Sequence, residues 1–131
     1  MRQDLRPADD SQRVAQMYIQ MYAADRLFSW DHRKSEANLR ERGFDFGFAT
    51  SIFTGPTLER EDTRRDYGER RMIAIGTADG IPLVVLYTDR AAAGGMIERR
   101  VISARRASKK ERGAYEAAVK AEKPWSRPCG P

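Results

Sequence analysis

Met72-Ile73-Ala74-Ile75-Gly76-Thr77 and Leu83-Val84-Val85-Leu86-Tyr87-Thr88 are strand-like runs on either side of Asp79-Gly80, and their reading decides the fold. The Asp-Gly dipeptide tolerates positive φ and signals a tight hairpin, so the two runs pair antiparallel. The second run is apolar on both faces of the strand alternation, as a central strand should be. After a loose loop over 91–95, residues 97–104 offer a third strand, and a three-stranded meander results.

Helices are expected on both sides of this meander. Ser108-Lys109-Lys110-Glu111 matches a capping box, in which Ser caps a backbone N–H and Glu reaches back to the Ser N–H. A helix over 108–121 follows, with Tyr115, Ala118 and Val119 on its inner face. Upstream, residues 44–53 are apolar enough for a short helix that Gly55-Pro56 stops. Asp31 is an N-cap for a helix through Leu39 that Gly43 ends, and Leu27-Phe28-Ser29-Trp30 before it is a short strand. In residues 1–26 four Arg balance four Asp, and Val14, Met17, Tyr18, Met21 and Tyr22 recur at helical spacing after a cap at Asp10 or Ser11. The expected class is α+β, with a sheet of three to four strands flanked by helices. It divides into an N-terminal helical extension (1–26), a main domain (27–121) and a C-terminal tail (122–131) rich in Pro and Gly.

Composition sets the remaining bounds. The 131 residues suit one domain, and 40% hydrophobic with 33% charged residues argues for a folded chain rather than a disordered one. No apolar run approaches the roughly 20 residues of a membrane span, and Met1-Arg2-Gln3-Asp4-Leu5 lacks the apolar stretch of a signal peptide, so a cytoplasmic protein with no membrane partner is expected. Cys129 is the lone cysteine, which leaves neither a disulfide framework nor a cysteine zinc site.

Charge is concentrated in one place. Residues 98–112 carry seven basic and two acidic side chains, a local +5 that equals the formal net charge of the whole chain. Such a stretch suits a polyanion, with RNA or DNA phosphate the commonest candidate, although a solvated charged surface beside a helix start reads equally well. His32 is the single histidine, so a two-imidazole acid–base pair cannot be built from this chain. Glu59, Glu61, Asp62, Asp66 and Glu69 alternate with Arg60, Arg64, Arg65, Arg70 and Arg71, which reads as mutually neutralising loop charge rather than a metal site. No Walker A loop, dinucleotide-binding Gly pattern or nucleophile elbow is present. The chemistry left to Arg, Lys, Glu and Tyr suits RNA cleavage by the neighbouring 2′-hydroxyl, where preorganised guanidiniums stabilise the pentavalent phosphate without a metal or cofactor. The same arginines also suit binding without cleavage.

Three blocks of sequence narrow this choice. The first is Trp30-Asp31 with Lys34, Asn38, Gly43 and Phe46. The second is Asp62, Arg64, Asp66-Tyr67-Gly68-Glu69, Arg71 and Ile75-Gly76. The third joins Leu83-Val84-Val85, Tyr87-Thr88 and Arg90 to Arg100, Ile102-Ser103-Ala104-Arg105, Ala107, Glu111-Arg112 and Tyr115. From Phe28 to about residue 116 the chain resembles the BrnT family of bacterial type II toxins, RelE-like ribonucleases neutralised by an antitoxin called BrnA. In that family a histidine usually precedes the glycine where Arg42 stands here. The resemblance implies a small RelE-like antiparallel sheet flanked by helices, and an endoribonuclease toxin that acts without a metal and inhibits translation and growth. It also implies RNA, free or on the ribosome, and a BrnA-type antitoxin as partners, the latter in an oligomeric complex. Residues 1–26 fall outside it. Either the true start lies later, at Met17 or Met21, or an extra helix packs on the toxin.

On this reading Arg64, Arg90, Arg100 and Arg105 surround the scissile phosphate, because guanidinium forks bind phosphate oxygens bidentately. Lys34 and Glu69 are the candidates for proton transfer. Arg99, Arg106, Lys109 and Lys110 would grip RNA, and Tyr115 would stack on a base or serve as a core ring. Strict strand alternation sets Arg100 and Arg105 on opposite faces unless a bulge intervenes. The alternative is a non-catalytic nucleic-acid-binding module, or a disarmed toxin-like regulator.

Overall fold

Asp79 and Gly80 both take positive φ (52° and 79°) in the computed structural model, which gives the tight hairpin that the dipeptide signals. The structure describes residues 18–20 and 26–122. In chain order the elements are β1 (Tyr18–Gln20), β2 (Arg26–Trp30), α1 (His32–Arg42), α2 (Phe46–Ala49) and a 3-10 turn (Thr50–Thr54). Then come β3 (Thr57–Glu61), β4 (Met72–Ala78), β5 (Ile81–Ala91), β6 (Ile97–Arg106) and α3 (Lys109–Glu122). The strands form one mixed sheet in the order β1-β3-β4-β5-β6-β2. Four antiparallel strands, β3 to β6, are joined consecutively, and β2 lies parallel to β6 from Ile97 to Val101.

The α+β class holds, but the sheet is larger than the three to four strands expected. One addition is β3, whose Thr-Leu-Glu-Arg-Glu sequence reads as loop charge. It forms because Glu59 is buried with its carboxylate satisfied: Thr57 Oγ1 donates to it at 2.6 Å and the Tyr87 hydroxyl donates to its other oxygen. The other addition is β1. Tyr18 was expected in an N-terminal helix, yet Tyr18–Gln20 pair antiparallel with Thr57–Glu59 as an edge strand. The rest of that helix, from its caps at Asp10 or Ser11 through Val14 and Met17 and on to Met21 and Tyr22, lies outside the described residues, as does the tail from residue 123.

The helix boundaries follow their local signals. Asp31 accepts from the Arg33 and Lys34 N–H groups, and Gly43 closes α1 at φ 89°. Ser108 and Glu111 exchange the reciprocal bonds of a capping box, at 3.1 and 2.8 Å. Each face of the sheet has its own core. On one face α1, α2 and the 3-10 turn cover Met72, Ala74, Leu83, Val85, Tyr87, Val101 and Ala104. Gly76 admits this layer, since a Cβ there would lie 2.9 Å from Ile52 Cβ. On the other face α3 packs Tyr115 against Leu58, Ile75 and Val84, with Ala118 and Val119 alongside. α3 covers only part of its face and leaves the rest for a site.

Candidate functional site

A β-bulge sets the geometry of the uncovered part. Leu86 pairs with Ser103 but Tyr87 pairs with Val101, so Ile102 is an extra residue in β6. Val101 and Ala104 therefore both enter the first core, and Arg100 and Arg105 both project from the opposite face. Two rows then cross the second face of the sheet, Arg60-Ile73-Leu86-Ser103 and Leu58-Ile75-Val84-Arg105. Where α3 stops short, these rows floor a cavity of about 310 Å³ lined by Arg42, Arg60, Arg64, Ile73, Val84, Leu86, Ser103, Arg105 and Glu111. Four guanidiniums thus face one carboxylate above an apolar floor.

Each of these arginines arrives by a different route. Arg60 projects from β3. Arg64 comes from the loop 62–71, which is closed at its base by Asp62 N–H donating to the Arg71 carbonyl at 2.8 Å. The Asp62 side chain is fully buried and accepts from Arg64 Nε and Nη2, both at 2.8 Å, and from the Tyr67 hydroxyl at 3.0 Å. Bonding to Arg64 outweighs burial and holds the Asp62 carboxyl far below its ordinary range. Arg71 and Arg65 lie over the Tyr67 ring at 4.1 and 5.8 Å, which ties both ends of the loop to it.

Arg105 is held by Glu111, with Nη1 and Nη2 each 2.8 Å from a carboxylate oxygen. That fork, assisted by the Ser108 N–H, lowers the Glu111 carboxyl to about 2. Arg42 enters over the rim of the sheet. Because β2 pairs with β6 only as far as Val101, the outer edge of 102–106 is open, and Arg42 Nη1 donates to the Ala104 carbonyl at 2.7 Å and to Asn38 Oδ1 at 3.2 Å. Among the described residues, no three acidic, His or Cys side chains converge as a metal would need.

This cavity lies within the span that decides the family. Residues 30–111 match the family described as ribonuclease toxin, BrnT, of type II toxin-antitoxin system. The chain belongs to the BrnT family. A search of curated proteins gives no match. The matched span contains the whole cavity lining, from Arg42 to Glu111, and excludes β1 and most of α3.

In this BrnT-family chain, two of the four arginines expected at the phosphate, Arg64 and Arg105, line the cavity. Arg100, opposite Thr88 in the ladder, and Arg90, opposite Glu98, share its sheet face but stand along β5 and β6 beyond it. Lys34 is exposed in the first turn of α1, and Glu69 sits in the 62–71 loop paired with Arg71 and Arg90 at 3.3 and 3.4 Å. Neither lines the cavity. Lys109 and Lys110 are exposed in the first turn of α3, beside Glu111.

Three residues expected to meet RNA are placed elsewhere. Arg99 is 1% exposed in the first core, where it bonds Asp89 through two nitrogens at 2.7 and 2.8 Å and lies 3.8 Å from the Tyr87 ring centroid. Tyr115 is buried and its hydroxyl donates to the Pro56 carbonyl at 2.8 Å, so it is a core ring. Arg106 lies on the opposite face of the sheet, in a groove with Leu39, Phe44, Phe48 and Ile81. Sequence reasoning also passed over three cavity residues. Glu111 read as a cap and a residue of the third block, Arg42 only as a departure from the family pattern, and Arg60 only as loop charge, none of them as a site residue.

Proposed function

We propose that this BrnT-family chain is a metal-independent endoribonuclease toxin that cuts RNA at translation, arrests growth, and is held inactive by a BrnA-type antitoxin. The observation that carries this reading is the cavity in which Arg42, Arg60, Arg64 and Arg105 converge over Ile73, Val84 and Leu86. Cleavage by a 2′-hydroxyl needs the phosphate held in line and the charge of a pentavalent phosphorane neutralised. Guanidiniums fixed in advance do both with little reorganisation. Arg64 and Arg105 are fixed in this way, each by a bidentate carboxylate. Arg100 and Arg90, along the same sheet face, guide the flanking strand, and Lys109 and Lys110 meet neighbouring phosphates at the rim.

An antitoxin with acidic side chains would compete with RNA for these cations, so inhibition and catalysis draw on one charge pattern. No helix among the described residues is long and apolar enough to cross a membrane.

The test incubates purified protein with RNA and a chelator, beside an Arg105→Ala variant. Loss of intact RNA with the unmodified protein alone supports a metal-independent ribonuclease. Intact RNA in both arms and on translating ribosomes, with salt-sensitive binding retained, overturns it in favour of a binding module.

A further inference from the structure

We propose that Glu111 takes the 2′-hydroxyl proton, and that the substrate phosphate releases it for this task by displacing its carboxylate from the Arg105 fork. The inference rests on the RNA-cleaving reading above and assigns the proton acceptor that Lys34 and Glu69, both outside the cavity lining, do not supply.

Glu111 is the carboxylate in the cavity wall. Asp62 stands nearby, but its side chain is fully buried and both oxygens are engaged by Arg64, one of them also by Tyr67. Glu111 occupies the Nη1–Nη2 edge of Arg105, which is the edge a phosphodiester would take bidentately. Exchange of one monoanion for another is close to neutral at Arg105 itself. It becomes favourable because the incoming phosphate also meets Arg42 from α1, Arg60 from β3 and Arg64 from the 62–71 loop.

The displaced Glu111 does not drift away, since the Ser108 N–H bonds its Oε1 at 2.8 Å and keeps it at the start of α3. While it is paired with Arg105 its carboxyl lies at about 2, which makes it a poor base. Leaving the fork raises it toward the ordinary carboxylate value, although Arg42, Arg60, Arg64 and Arg105 across the cavity keep it anionic near neutral pH.

In the reaction the O2′–P bond forms as the P–O5′ bond breaks, and the O2′ proton passes to Glu111. The departing 5′-oxygen takes a proton from water in the open cavity, and the hydroxide left behind recovers the proton from Glu111. The products are a 2′,3′-cyclic phosphate and a 5′-hydroxyl end.

Glu111→Gln tests this in the full chain. Glutamine also serves in a capping box, so the start of α3 survives, as the thermal midpoint will show. With RNA made uncleavable by 2′-deoxy substitution, the variant should bind several-fold more tightly than wild type, because a competing anion is gone. In single-turnover cleavage it should be about 100-fold slower or worse and should lose the acid limb of the pH–rate profile. Glu111→Asp should keep that limb. A purely structural Glu111 predicts weaker binding and an unchanged acid limb, and either result overturns the proposal. Wild type that binds the uncleavable RNA but never cuts the cleavable one, on or off the ribosome, overturns the ribonuclease reading and this inference with it. Failure of Glu111→Gln alone removes only the inference.

Discussion

Val101 and Ala104 enter the same core although an even alternation would turn them to opposite faces, because Ile102 is an extra residue between them in β6. The bulge reverses every side chain after it. Arg105 thereby joins Arg60 and Arg64 at the cavity instead of entering the first core.

Deleting Ile102 takes out the extra residue and the bulge together. Val101 then leads directly to Ser103, and regular alternation keeps Ala104 inward and Arg105 outward in the same pairs with Val85 and Val84. The expected outcome is a folded protein that still binds RNA, whereas deleting Ile75 from β4, which pairs with β5 without a bulge, turns part of that strand's core face outward and should unfold the protein. Thermal melts and a titration with uncleavable RNA check the pair. An Ile102 deletion as damaging as the Ile75 deletion would mean that Ile102 is not the extra residue.

Arg99 and Lys109 should behave in opposite ways, although both belong to the basic stretch 98–112. Arg99 is buried beneath Tyr87 and Phe53, with its guanidinium paired to the more exposed Asp89. Burial lowers its basicity, but the bonds to Asp89 and the nearby Tyr87 more than offset that, and the guanidinium stays charged. Arg99→Ala empties the space beneath the Tyr87 and Phe53 rings and should cost about 2–5 kcal/mol. Lys109→Ala should change stability by less than about 0.5 kcal/mol while weakening RNA binding and flattening its salt dependence. Denaturant titration and binding at two salt concentrations separate the cases.

The contrast shows what was legible in the sequence. Features decided by neighbours in the chain could be read: the Asp79-Gly80 hairpin, the Asp31 cap, the Gly43 stop and the Ser108-Glu111 box. Features decided by distant partners could not. Glu59 looks like surface charge until Thr57 and Tyr87 are seen to satisfy it, and with it β3 is missed. Tyr18 sits at helical spacing with its neighbours, but the β3 edge draws it into a strand. The cavity was half legible, since Arg64 and Arg105 were singled out while Arg42, Arg60 and Glu111 depend on which elements the fold brings together. No sequence signal marks Ile102 as the extra residue.

Stability should fall in acid through Glu111 and Asp62. Both carboxyls lie below their ordinary values because each is bonded to an arginine, Glu111 dropping from 4.5 to about 2. A lowered folded-state value means that the unfolded chain binds protons first. The stabilisation from Glu111 is therefore complete above about 4.5 and is lost as pH falls toward about 2. Thermal midpoints taken from pH 6 to pH 2 should decline for wild type and decline less steeply for Glu111→Gln, with the two curves converging at the acid end. Parallel curves would show that the Arg105–Glu111 pair adds nothing to the fold.

Arg42 offers the sharpest test of the cavity as an anion site, because its structural and binding roles separate. Its Nη1 bonds the Ala104 carbonyl, but that carbonyl lies on the open edge of β6, where water can replace the guanidinium. Arg42→Ala should therefore shift stability by no more than about 1 kcal/mol. Its charge at the cavity wall has no such substitute, so affinity for uncleavable RNA should fall several-fold at every pH. Arg42→His puts in place of the guanidinium an imidazole, whose unperturbed value is about 6.5. That variant should bind more tightly at pH 5.5 than at pH 8, where it should approach Arg42→Ala, while wild type should show a far smaller change. Equal affinities for wild type and Arg42→Ala would remove Arg42 from the site and leave it a clip on the sheet edge.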